Sequence, residues 1–217
     1  HEPEVPAAIV GLEKPTGKKL GDEANPLLVS VRSGAAASVP GMMDTVPNLG
    51  LNERATRGLA EKTKNPRFAW DAFRRFISMF GNIVRGVPRE EFERALEAAK
   101  RARNAAADTE LTAEGLEALV GEFRKIFERA TGERFPEEPR EQLWQAIAAV
   151  FRSWQKERAK TYRKIHRIEG LLGTAVNVQA MVLGNTGERS ATGVCFTRDP
   201  ATGENRFYGE FLLNAQG

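Results

Sequence analysis

From Asn65 to about Glu169 the chain reads as helix after helix, and the segments on both sides of that block read as strands. That order constrains the fold more than any other feature. Phe68, Ala72, Phe73, Phe76, Ile77, Phe80 and Val84 recur at the spacing that lines one face of a helix. Pro88 and Pro139 stand where a helix can open without the missing N–H. Thr112 is predicted to cap the helix carrying Leu116, Leu119, Val120, Phe123, Ile126 and Phe127, and Gly132 to stop it. Leu143, Trp144, Ile147, Val150, Phe151 and Trp154 are expected on one face of the helix after Pro139, with a shorter helix around Tyr162 and Ile165.

Residues 1–50 alternate loop and strand signals, and "LLVSV" after Pro26 predicts a buried strand. "GTAVNVQAMVLGN" alternates as a strand with one buried face. "TGVCFTRDPATGE" reads as strand and turn, and "RFYGEFLLNAQG" as a further strand. A helical block between two β-rich pieces predicts an α+β fold with a helical insertion. "RARNAAADTE" is the expected exposed linker.

At 217 residues the chain can bury a real core, and no apolar run approaches the roughly 20 residues of a membrane-spanning helix. "HEPEVPAAIV" lacks the basic and apolar regions of a signal peptide, and its lack of Met suggests that a longer protein precedes it. A single cysteine, Cys195, cannot form an internal disulfide, which points to a reducing, cytoplasmic setting. Its apolar strand predicts core packing. The net charge of +3 is spread over alternating acids and bases, as in "REEFERALEAAKRARN", so no nucleic-acid partner is expected. Only His1, His166 and Cys195 could serve a His/Cys metal site, which excludes one.

Arg32 follows the predicted strand directly, and a guanidinium there offers a rigid fork to a phosphate. Ser33, Gly34 and Gly41 let the backbone come close to a ligand. The competing reading is a surface ion pair beside a turn. No Gly-Lys-Ser/Thr closes the loop, so it is not a P-loop. Asp44 and Glu210 are the carboxylates that could face a metal–nucleotide complex. On a strand Glu210, Asn214 and Gln216 could share a face, although a solvated acid explains Glu210 equally. Met181 and Val182 fit either an apolar wall for a purine or core packing. His166, among charges on a helix, reads as a surface histidine.

Taken together, "LLVSVRSGAAASVPGMMDTVPNLGLN", "NPRFAWDAFRRFISMFGNIV", "AVFRSWQKERAKTYRKIH", "GTAVNVQAMVLGN", "ATGVCFTRDPATGE" and "YGEFLLNAQG" resemble the N-terminal nucleotide-binding part of the pyruvate, phosphate dikinase family, in order along nearly the whole chain. "PGMMDT" sets that family apart from the related pyruvate, water dikinases, whose ATP-binding domain is the alternative. A non-catalytic helical interaction module is the rival from another class. The resemblance implies a partial ATP-grasp fold. Residues 1–52 would be part of its first subdomain, 53–137 a helical insertion, 138–183 the first subdomain continued, and 184–217 part of the second.

It also implies an enzyme that takes ATP, phosphate and pyruvate and, through a phosphohistidine on a central domain, moves phosphoryl groups to give phosphoenolpyruvate, AMP and pyrophosphate. Mg²⁺ accompanies ATP, and the full-length enzyme is expected to be a homo-oligomer. By motif, Arg32 is the phosphate-contacting arginine, and Ser33, Gly34, Gly41, Asp44 and Thr45 belong to its loop. Gln179, Met181 and Val182 belong to the adenine hinge, and Glu210 is a weak metal candidate. Pro47 stands where the family carries Leu. The family's "GGKG" lysine, a later segment of metal ligands and a second arginine, and the phosphohistidine loop are not in this sequence. The expectation is therefore a fragment that is inactive alone, binds ATP weakly and has frayed β portions.

Overall fold

The computed structural model describes residues 4–35 and 42–216. Its elements run α1 (Glu4–Thr16), β1 (Val29–Ser33), β2 (Thr45–Leu49), α2 (Glu53–Thr63), α3 (Pro66–Arg85), α4 (Arg89–Ala102), α5 (Ala113–Thr131), α6 (Pro139–Ser153), α7 (Glu157–Ile165), β3 (Val176–Ala180), β4 (Ala191–Phe196) and β5 (Tyr208–Leu213). The class is α+β. Two compact units divide the chain, residues 1–181 and 182–217.

In the first unit β1 lies at the centre of a three-stranded antiparallel sheet of order β2-β1-β3. Val29, Val31 and Val46 are fully buried on the face that packs on helices. Helix α6 runs under all three strands, and α3 packs against β2. The register between β1 and β2 breaks where Pro47 and Asn48 together oppose Ser30. Asn48 takes a positive φ of 58°, which a short amide side chain tolerates. Pro47 is accommodated because β2 is an edge strand.

The helical block is built as its spacing predicts, with Asn52 capping α2, Asn65 capping α3, Thr112 capping α5 and Gly132 closing α5 in the left-handed region. Phe73, Phe76 and Phe80 are fully buried. They meet Phe127 and Phe135 in a cluster of mostly edge-on rings. The stretch expected as an exposed linker is mostly exposed, and its end is tied down. Arg67 donates to the carbonyls of Asp108 and Leu111 at 2.7 and 3.0 Å, and Arg74 reaches the Asp108 carboxylate at 2.9 Å.

Four expectations need correction. Residues 4–16 form a helix, because Pro6 falls in its first turn, where the missing N–H costs nothing. Helical structure also begins at Glu53, before Asn65. Trp144 and Phe151 are exposed, since they lie about a third of a turn round α6 from Leu143, Ala146 and Val150. Cys195 is exposed, because β4 and β5 form a two-stranded hairpin with neither face covered by the unit of residues 182–217. Among the described residues no helix is long and apolar enough to cross a membrane.

Candidate functional site

The sheet turns its polar face outward. Arg32 lies directly opposite Thr45 on β2 and Asn177 on β3, and Ser30 lies opposite Gln179. Directly opposed residues share a face, and so do residues two apart on one strand. Ser30, Arg32, Thr45, Asn177 and Gln179 are therefore neighbours, backed by the buried valines of the other face. Arg32, Asn177 and Gln179 are exposed, and Ser30 and Thr45 are half-buried. The Arg32 guanidinium donates to Gln179 Oε1 at 3.4 Å, and among the described residues no carboxylate pairs with it. The sheet thus offers one unneutralised planar cation among hydroxyl and amide groups. A guanidinium in such a setting has the donors that charge-assisted, bidentate hydrogen bonds to an oxyanion require.

Ser33 and Gly34 end the strand beside this face. Ser33 Oγ hydrogen-bonds with Thr174 Oγ1 at 2.9 Å, and the Gly34 N–H donates to the Ala175 carbonyl at 2.8 Å. A Cβ at Gly34 would stand 3.0 Å from Asn177 Nδ2, so glycine is what lets Asn177 lie against the strand end. Gly41 falls outside the described residues.

Asp44 does not join the polar face. It is 5% exposed and faces α7, where its carboxylate pairs with Arg158 through Oδ1. Lys156 Nζ lies 2.7 Å from Oδ2 as an ion pair without hydrogen-bond alignment. The Asp44 N–H donates to Ser153 Oγ at 3.4 Å. Met42 and Met43 pack beside it on Trp154 and Ala159.

The hinge residues divide. Gln179 has its side chain on Arg32. The Met181 N–H extends the β1–β3 ladder to the Leu28 carbonyl at 2.9 Å. Val182 is 96% exposed and begins the second unit. In that unit Glu210 is exposed on β5 opposite Val194, while Asn214 lies past the strand at positive φ.

No group of three His, Cys, Asp or Glu side chains able to hold a metal exists among the described residues. With Asp44 committed to two cations and Glu210 on its own, these residues do not fit a magnesium ion. His166 sits exposed at the end of α7 with its ring 4.1 Å from that of Tyr162.

Asn177, Ser30 and Thr174 were not singled out from the sequence, although Asn177 precedes Gln179 by two residues on the same alternating strand. Lys156 and Arg158 carry no local signal, since their partner is more than a hundred residues away.

An exposed arginine on the polar face of a small antiparallel sheet packed on helices defines the candidate site of an α+β module. The chain belongs to the family described as the pyruvate phosphate dikinase, AMP/ATP-binding domain, whose model matches residues 2–216. Among its relatives, pyruvate, phosphate dikinase of Clostridium symbiosum is 56% identical over 97% of this chain and 24% of its own length. Pyruvate, phosphate dikinase 2 of Oryza sativa subsp. japonica is 54% identical over 99% of this chain and 24% of its own. Pyruvate, phosphate dikinase of Giardia intestinalis is also 54% identical, over the same shares. The chain therefore spans about a quarter of the length of the curated relatives it matches.

Proposed function

We propose that this chain is the ATP-binding part of a pyruvate, phosphate dikinase and receives the nucleotide's phosphates at Arg32. The observation that carries the reading is the exposed guanidinium of Arg32, which has no carboxylate partner among the described residues and stands among Thr45, Asn177 and Gln179. A guanidinium left free on a water-facing sheet has strong donors available for a polyphosphate, and the neighbouring hydroxyl and amides add neutral ones. The small residues after Ser33 then serve close approach of the backbone. Gln179, Met181 and Val182 would carry the base side of the nucleotide, with the exposed Val182 side chain supplying apolar surface.

On this reading the parent protein is an ATP-grasp enzyme. It consumes ATP, inorganic phosphate and pyruvate and, by way of a phosphohistidine on another of its domains, yields AMP, pyrophosphate and phosphoenolpyruvate. Residues 53–137 are an insertion that holds the sheet from one side. Magnesium enters with the nucleotide, and no step is assigned to it here because the described residues do not fit it.

The experiment is ATP-dependent phosphorylation of the full-length parent, comparing wild type with Arg32→Ala and Arg32→Lys. The alanine variant should lose most of its phosphorylation at limiting ATP, and lysine should restore only part, because an ammonium lacks the planar fork. Unchanged phosphorylation in Arg32→Ala would remove Arg32 from the site.

A further inference from the structure

We infer that Lys156 and Arg158, at the start of α7, are positioning residues for the phosphate-facing end of the sheet, acting through Asp44. The inference rests on the proposed role of Arg32. Asp44 immediately precedes Thr45, the first residue of β2 and the direct cross-strand neighbour of Arg32. Its carboxylate is nearly inaccessible, and a buried carboxylate needs a paired cation. Both cations come from one place, the N-cap and second residue of α7. Wherever α7 sits, Asp44 must follow, and Thr45 follows Asp44.

The surroundings reinforce this attachment. Met42, Met43, Trp154 and Ala159 form one buried cluster, with Ala35, Tyr162 and Leu171 packed against it. The α6–α7 junction therefore touches the chain just beyond β1 and just before β2. On the opposite side, the Ser33–Thr174 and Gly34–Ala175 hydrogen bonds fix the end of β1 against the segment entering β3. Arg32 is thus held between two attachments, and only the one through Asp44 is ionic.

The same attachment keeps an acid away from the site. Asp44 is the acidic residue next along the chain to the neighbour of Arg32, and pairing with Lys156 and Arg158 commits its charge to α7. Arg32 retains its full positive charge for an anion. Lys156 and Arg158 are themselves about half exposed, so neither is held in place by burial of its own head group. Their common role is to hold Asp44.

The test measures Mg-ATP binding to the full-length parent by calorimetry, well below each variant's unfolding midpoint. Arg158→Ala and Lys156→Met should each raise Kd about tenfold, which corresponds to roughly 1.4 kcal/mol. Arg158→Lys should return most of the affinity, because one cation at that position can still reach Asp44. Arg57→Ala, which breaks a surface pairing with Glu53 and Glu117 on α2 and α5, should leave Kd unchanged. If Arg158→Ala does not fold, Lys156→Met and Arg158→Lys carry the comparison. Wild-type Kd in the Lys156 and Arg158 variants, with weakened binding in Arg32→Ala, would overturn the positioning role and leave Arg32 in place. Wild-type binding in Arg32→Ala itself would overturn both.

Discussion

Phe135 lies between α5 and α6, in neither helix, yet it joins the largest aromatic cluster of the chain. Its ring centroid is 5.4 Å from those of Phe80 and Phe127, 5.6 Å from Phe76 and 6.1 Å from Phe73, with interplanar angles of 69° to 87°. Edge-on pairs of this kind are worth about 0.5–1.5 kcal/mol each beyond the area they bury. Four such contacts share one ring and cannot simply be added, so about 2 kcal/mol is a reasonable combined value. Phe135→Leu keeps most of the apolar volume and loses the edge contacts, so it should cost about that much. Phe135→Ala should cost about 3–5 kcal/mol, because it also opens a cavity. Trp70, Trp144 and Trp154, the only tryptophans, all lie in the first unit, so urea unfolding followed by selectively excited tryptophan fluorescence reports on it. With a slope of about 2 kcal/mol per molar urea, the alanine variant should lose about 1.5–2.5 M in midpoint. A leucine variant within about 0.5 kcal/mol of wild type would show that the rings act only as bulk. An alanine variant equally close to wild type would refute the packing itself.

Two further perturbations probe other parts of the fold. Gln142 is fully buried, donates to the carbonyls of Leu51 and Pro136 at 2.9 and 2.8 Å, and accepts from the Gly50 N–H at 3.1 Å. Gln142→Ala strands two buried backbone groups and a half-buried one and should cost about 2–4 kcal/mol in the same unfolding assay. In the second unit, the N–H groups of Ala201 and Thr202 hold the Asp199 carboxyl below the usual carboxylate range. A depressed folded-state pKa gives stability that is present above the unfolded value near 4 and is lost as pH falls through the folded one. Amide exchange at Ala201 should therefore be protected at pH 6 relative to an Asp199→Asn variant. That difference should vanish as the carboxyl protonates, and a protection gap independent of pH would count against the turn's charge dependence.

Much of the helical block is legible in the sequence because caps and periodicity are local. Thr112, Gly132 and the α3 phenylalanines needed no information from elsewhere in the chain. Phe135 was not, because a residue between helices has no period to betray it. Trp144 and Phe151 were misjudged because apolar character sets the face of a helix only on average, and both lie on the side of α6 turned away from its buried stripe. The loop and strand signals read across residues 1–50 missed the helix of residues 4–16, whose first turn accommodates Pro6. At the site, Arg32 was visible as a cation after a strand, but its neighbours Thr45, Asn177 and Gln179 come from the two flanking strands, β2 and β3, whose register with β1 no local pattern contains. The pairing of Asp44 with α7 is likewise a product of the fold alone.

The central claim is that Arg32 holds the phosphates of ATP, and calorimetric titration of the full-length parent with Mg-ATP tests it most directly. Loss of a charge-assisted hydrogen-bonding group should weaken binding by about 1.5–3 kcal/mol, or roughly 10- to 150-fold in Kd, in Arg32→Ala. Arg32→Lys should fall between that value and wild type. A Kd unchanged by both substitutions would contradict the account and return the polar face of the sheet to solvent.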